Sequence, residues 1–208
     1  MNNKILRLLY VDDEIDILLS NYLDETYNGK KNKIQKIEFD YSDLEFTPDM
    51  SYLDLLNNES IRMANIIIID SRLFSNDNSS HKYKGEEIEL LLRKIYPFIE
   101  VVVITQNDIA GRNIVQKYPS SSENDKKNAY EHYQEKLKPI IDEKCKSIAS
   151  RRLVVNEFRD NNTWDTLMKE KLLNSFLAMP LYEELTKNDI DQLVDSFKQI
   201  EKLIDKES

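Results

Sequence analysis

Residues 64–70 read ANIIIID, four isoleucines in succession closed by Asp70. β-Branched side chains are stiff and crowd a helix, so this run favours an extended strand. Its lack of alternation means that both faces are covered, which is the condition of a parallel sheet between two layers of helices. Two other runs have the same design. KILRLLYV (4–11) stops at Asp12, Asp13 and Glu14, and IEVVVIT (99–105) ends on Thr105.

Between these strands the period changes. Ile15, Leu18, Leu19, Tyr22 and Thr26 or Tyr27 recur at helical spacing, and Asn28-Gly29 supplies a stop. Ile37, Phe39 and Tyr41 then alternate with Glu38 and Asp40, as in a half-exposed strand. Thr47-Pro48 predicts a helix with proline at its first position and Tyr52, Leu55 and Leu56 on one face. Residues 71–84 are polar and long for a connection, so they read as a mobile lid or an insertion ended by Gly85. Ile88, Leu91, Leu92 and Ile95 mark another helix before Pro97. Strands alternating with helices predict an α/β fold, a doubly wound parallel sheet. Ligands bind such sheets outside the carboxyl ends of the strands, where Asp12, Asp13, Asp70 and Thr105 would meet.

Composition narrows the partners. The 208 residues carry a formal charge of -9, which opposes nonspecific attraction to phosphate backbones and to anionic membranes. One cysteine, Cys145, cannot close an internal disulfide, and no charged-then-apolar leader or 18-residue apolar run occurs. A cytoplasmic location is the expectation. Only three glycines are present, consistent with a chain rich in helix.

Each strand-end residue has an ordinary explanation alone: acids favour helix N-termini, and threonine is a good cap or strand residue. Their joint order is more specific. An aspartate is a poor nucleophile toward an anionic phosphoryl group unless a cation neutralises both, and Mg2+ takes carboxylates, a carbonyl and waters. Asp12, Asp13 and Asp70 supply suitable oxygens. A hydroxyl, which Thr105 offers, and an ammonium would hold the remaining phosphoryl oxygens.

VDDEIDILL, IIIIDSRL and VVVIT together resemble the receiver domain of bacterial two-component response regulators. The resemblance covers residues 4–150 and implies a flavodoxin-like five-stranded sheet. It also implies that Asp12 and Asp13 bind Mg2+, that Asp70 accepts the phosphoryl group, that the backbone carbonyl of Arg72 is a metal ligand, and that Thr105 is the switch hydroxyl. Arg72 and Asn107, two residues beyond Asp70 and Thr105, fall where the family tunes dephosphorylation.

The family also has a lysine at the end of its fifth strand. Lys138-Pro139 offers one, but Tyr130, Tyr133, Leu137, Ile141, Lys144 or Cys145 and Ile148 keep helical spacing straight through it. Residues 126–150 therefore read as one helix, with Pro139 as the objection. NIVQKYP (113–119) is then the fifth strand and Lys117 the site cation, with Lys138 as rival. Eleven residues, 106–116, leave no room for an ordinary crossover helix, so the fourth helix should be short or absent. Ile114 stands where an aromatic switch residue often lies.

Residues 151–208 read as a helical hairpin, built on Trp164 to Phe176 and Ile190 to Ile204. With 9 Lys+Arg against 12 Asp+Glu this segment has no basic recognition helix, so no DNA binding is expected, and the hairpin is expected to pack on the receiver or to pair with a second copy. His81 and His132 lack partners at metal spacing and belong to no site. The expected function is a cytoplasmic phosphorelay receiver, not an enzyme, phosphorylated at Asp70 by a histidine kinase with Mg2+ as cofactor and acting through a downstream protein. A phosphorylation-independent pseudo-receiver is the alternative. A Mg2+-dependent phosphatase or nuclease fits less well, because it needs D-x-D where this chain has DDE and DSR.

Overall fold

The computed structural model describes residues 5–30, 38–73, 83–107, 113–119 and 125–160, with isolated positions between 165 and 173. The elements run β1 (Ile5–Asp12), α1 (Ile17–Tyr27), β2 (Glu38–Glu45), α2 (Tyr52–Asn57), α3 (Glu59–Met63) and β3 (Ile66–Asp70). They continue with β4 (Arg72–Leu73), β5 (Tyr83–Lys84), α4 (Gly85–Ile95), β6 (Glu100–Thr105), β7 (Ile114–Gln116), α5 (Lys126–Lys136) and α6 (Lys138–Asp160). Five strands form one parallel sheet in the order β2-β1-β3-β6-β7. This is the flavodoxin-like order, with the chain reversing direction across the sheet between β1 and β3.

The side-chain period of two divides the core. Leu6, Leu8 and Tyr10 of β1 join Ile66, Ile68, Val102, Ile104 and Val115 under α1, α5 and α6. Leu9 and Val11 join Ile67, Ile69, Val101 and Val103 under α2, α3 and α4. Every residue of β3 is buried, as a central strand covered on both faces requires. Phe39 and Tyr41 are buried while Glu38, Asp40 and Ser42 are exposed, which suits β2 at the sheet edge.

Local chemistry sets the helix ends. Asp16 caps α1 by accepting from the N–H groups of Leu18 and Leu19, and Gly29 follows the helix with φ +62°. The expected helix at Pro48 starts later. Ser51 and Asp54 form a capping box that opens α2 at Tyr52, and this reciprocal pair satisfies two helix-end donors, whereas proline only tolerates the first turn.

The single helix expected over 126–150 is divided at Leu137. Pro139 has no N–H to give to the preceding turn, and Leu137 O instead accepts from both Ile140 and Ile141 at 3.1 Å. The apolar stripe continues across the break through Ala129, Tyr133, Leu137, Ile141, Cys145 and Ile148, all buried. Tyr130, expected on that stripe, is 41% exposed. α6 runs on to Asp160, and most of the expected hairpin lies outside the described residues.

The long 71–84 connection is anchored at both ends, since Arg72–Leu73 pairs antiparallel with Tyr83–Lys84. Residues 74–82, His81 among them, lie outside the described residues, and with them the expectation of a lid or an insertion. β7 is where NIVQKYP was expected to place it, parallel to β6 with Thr105 opposite Gln116. Among the described residues no helix lies between β6 and β7.

Candidate functional site

The parallel register delivers four chain segments to one edge. β1 ends on Asp12, β3 on Asp70, β6 on Thr105, and β7 one residue before Lys117. Asp70 stands opposite Ile104 and the Lys117 N–H donates to Thr105 O at 2.7 Å, which locks the height of the two strand ends. Alternation also sets direction. Tyr10 and Asp12, Ile68 and Asp70, and Val115 and Lys117 are spaced by two, so all six lie on the α1/α5 side of the sheet.

Lys117 Nζ lies 2.7 Å from Asp12 Oδ2 and 2.8 Å from Asp70 Oδ1, with all three side chains nearly buried. Burial alone would lower the Lys117 ammonium, but the charges of Asp12 and then Asp70 outweigh it and hold it above its ordinary value. Burial pushes the Asp70 carboxyl up, and Lys117 offsets only part of that. A second donor holds Asp70, because the Arg72 N–H donates to Oδ2 at 2.7 Å. The Tyr10 hydroxyl donates to Asp12 Oδ2 and accepts from the Asp16 N–H at 3.3 Å, tying the strand to the start of α1. Burial raises the Tyr10 phenol, with the Asp12 charge adding to it, so the phenol remains a proton donor.

Asp12, Asp13 and Asp70 each offer a carboxylate oxygen, the three lying within 4.8 Å of one another. Cis oxygens about 2.1 Å from a common octahedral Mg2+ lie about 3 Å apart, so these side chains would close by up to about 2 Å to share one ion. Hard carboxylate donors with no histidine or thiolate among them suit Mg2+ over softer metals. Thr105 is buried at the adjoining strand end, and its Oγ1 accepts from the Asn107 N–H at 3.1 Å.

The candidate site residues can thus be placed. Asp12, Asp13, Asp70 and Lys117 form one cluster, with Thr105 on the adjoining strand end. Arg72 has an exposed side chain and enters the β4–β5 ribbon opposite Lys84. Lys138 stands at the start of α6 and pairs with Asp142 one turn on, as a solvated helix pair.

Four contributors were passed over in the sequence. Tyr10 was legible, since a residue two before Asp12 on the same strand shares its face. Gly85 packs against the end of β3, where any Cβ would overlap the Asp70 carbonyl oxygen, and nothing in the sequence marks that approach. His132 and Tyr133 come from α5 and grip the residues beside Lys117. Their bonds depend on how the helix docks, which no local pattern encodes.

Neither a scan against known sequence families nor a search of curated proteins finds a match. Similar solved structures include a two-component transcriptional regulator AraC from Clostridium phytofermentans ISDg, with 19% identity and a TM-score of 0.34, covering 62% of this chain and 94% of that one. RcsB from Salmonella enterica serovar Typhimurium, bound to promoter rprA with phosphomimetic BeF3-, has 17% identity and a TM-score of 0.34, covering 62% and 99%. A response regulator RcsB–DNA complex has 16% identity and a TM-score of 0.35, covering 85% and 84%. These comparisons correct the expectation of no DNA partner, because two of the three are response regulators held on DNA. That expectation rested on net charge, which averages over the whole chain whereas DNA contact needs only a local cluster of cations, and on the lack of a basic recognition helix in 151–208, most of which lies outside the described residues. No helix among the described residues is long and apolar enough to cross a membrane.

Proposed function

We propose that this chain is a signalling receiver whose Asp70 carboxylate takes a phosphoryl group from a phosphohistidine. The observation that carries the reading is the Lys117 ammonium held between Asp12 and Asp70, with a third carboxylate in the same cluster and a buried threonine at the adjoining strand end. An Asp70 oxygen forms the new bond to phosphorus as the phosphorus–nitrogen bond of the donor breaks, and the electron pair returns to the imidazole. The product is an acyl phosphate, which water can cleave to restore the carboxylate. The transfer is stoichiometric and needs no turnover.

Asp12, Asp13 and Asp70 would hold Mg2+, which when bound neutralises the charge shared by carboxylate and phosphoryl oxygens. The chain's own residues do the rest. Lys117 leaves its Asp70 contact for a phosphoryl oxygen while Asp12 keeps it nearby. Tyr10 and the Arg72 N–H hold the two carboxylates in place. The Thr105 hydroxyl donates to a second phosphoryl oxygen, for which its lone pair remains committed to the Asn107 N–H.

Beryllofluoride, which mimics an acyl phosphate, tests this reading by calorimetric titration of the chain with saturating Mg2+. One-to-one binding that is lost in Asp70→Ala is expected. Equal binding by the variant, or none by the wild type, would replace the phosphoacceptor with a phosphorylation-independent interaction module.

A further inference from the structure

Lys117 stands just past a three-residue strand at the edge of the sheet, with a long side chain that has many rotamers to lose. Something must aim it. Its own N–H is bonded to Thr105 O, and the peptide groups on both sides are held by consecutive residues of α5. On one side, His132 Nε2 bonds Gln116 O at 2.8 Å. On the other, the Tyr118 N–H donates to the Tyr133 hydroxyl at 3.1 Å. A carbonyl has no proton to give, so His132 must carry its hydrogen on Nε2.

The gripping residues are themselves fixed. Tyr133 is fully buried, with its ring 5.5 Å from that of Tyr22 on α1, and the Tyr22 hydroxyl donates to Gln134 Oε1 at 3.2 Å. The His132 ring stands edge-on to Tyr118 and Tyr133, at 5.7 Å and 5.2 Å. Tyr118, His132 and Tyr133 therefore interlock around the two peptides that flank Lys117. Most buried tyrosine hydroxyls find some partner in any core. Here the chosen partner is the one N–H next to the site lysine, and the neighbouring helix residue takes the carbonyl on its other side.

We propose that Tyr133 and His132 are positioning residues for Lys117, fixing the peptide groups on either side of it so that its ammonium reaches Asp12 and Asp70. The functional consequence rests on the phosphoacceptor reading, while the aim of the lysine rests on the ion pairs alone. α5 thereby does part of the work of orienting the end of β7, in a chain with no helix between β6 and β7 among the described residues.

The test uses the full chain and two readouts. In the first, without ligand, reductive methylation of each lysine is followed by peptide mass spectrometry. Lys117 should react far more slowly than Lys127, whose side chain is 88% exposed. Tyr133→Phe keeps the ring and removes only the hydroxyl, and should speed methylation of Lys117 about tenfold, the equivalent of one lost hydrogen bond, with Lys127 unchanged.

In the second readout, with saturating Mg2+, Tyr133→Phe should weaken beryllofluoride binding about tenfold. Tyr133→Phe combined with Lys117→Ala should bind no more weakly than Lys117→Ala alone. Unchanged methylation of Lys117 in Tyr133→Phe would overturn the positioning role, as would fully additive losses in the double variant. If the wild type binds no beryllofluoride, the phosphoacceptor reading fails and the methylation readout still decides the aim of Lys117. His132→Ala, at a half-buried position, supplies the same readouts if Tyr133→Phe does not fold.

Discussion

Replacing Lys117 by methionine removes the charge at the centre of the cluster while keeping most of the side chain's length. Asp12 and Asp70 then each lose a charge-assisted hydrogen bond, of 2.7 and 2.8 Å, at sites that are 2% and 6% exposed. Such bonds contribute about 1.5–3 kcal/mol each, and removing one partner of a buried ion pair costs about 3–5 kcal/mol. The variant has one escape, which is to fold with a carboxyl protonated. From an ordinary Asp70 value of 3.8, protonating one carboxyl costs about 4 kcal/mol at pH 7 and about 2 kcal/mol at pH 5. The expected loss is therefore about 4 kcal/mol at pH 7, falling to about 2 kcal/mol at pH 5.

The sign follows from the raised carboxyl. Without Lys117 the folded state takes up a proton before the unfolded state does, so stability is lost as pH climbs from 3.8 through the folded value. Urea unfolding at both pH values, followed by circular dichroism, gives the two differences directly. Lys138→Met is the comparison, because Lys138 and Asp142 are a half-exposed helix pair worth about 0.3–0.5 kcal/mol. A Lys117→Met loss no larger than that of Lys138→Met, or one that grows toward acid pH, would refute the reasoning.

Three further outcomes follow from the same contacts. Gly85→Ala places a methyl group onto the Asp70 carbonyl oxygen, so it should lower stability by about 1–3 kcal/mol and weaken Mg2+ binding, read by calorimetric unfolding and metal titration. Tyr10→Phe removes one donor from Asp12 and strands the Asp16 N–H, and should cost about 1–3 kcal/mol in urea unfolding with the rest of the core intact. Burial pushes the Cys145 thiol up to about 12, so its thiolate is scarce at pH 8; a disulfide reagent should label it only after unfolding.

The sheet was legible because its strands are uniform. The isoleucine run of β3 and the acids at the ends of β1 and β3 leave little choice of direction, and parallel pairing brings their ends together. Lys117 was legible by elimination, since the helical stripe through Leu137 and Ile141 removes Lys138 from the sheet. Helix boundaries were less so. Pro48 and Ser51 both read as starts, and the choice turned on whether Asp54 reaches back to Ser51. The break at Leu137 depends on one missing N–H inside an otherwise unbroken stripe. Gly85, Tyr133 and His132 lay beyond reach for another reason: each acts across a tertiary contact, 15 residues or more from what it touches.

Phosphoryl transfer itself tests the central claim most directly. The chain is incubated with acetyl phosphate and Mg2+, and its mass is followed intact and after peptide mapping. One phosphoryl group per chain should appear on the peptide containing Asp70, require Mg2+, and be absent from Asp70→Ala. Label that persists in Asp70→Ala, or a wild-type chain that stays unmodified at saturating acetyl phosphate and Mg2+, would contradict it.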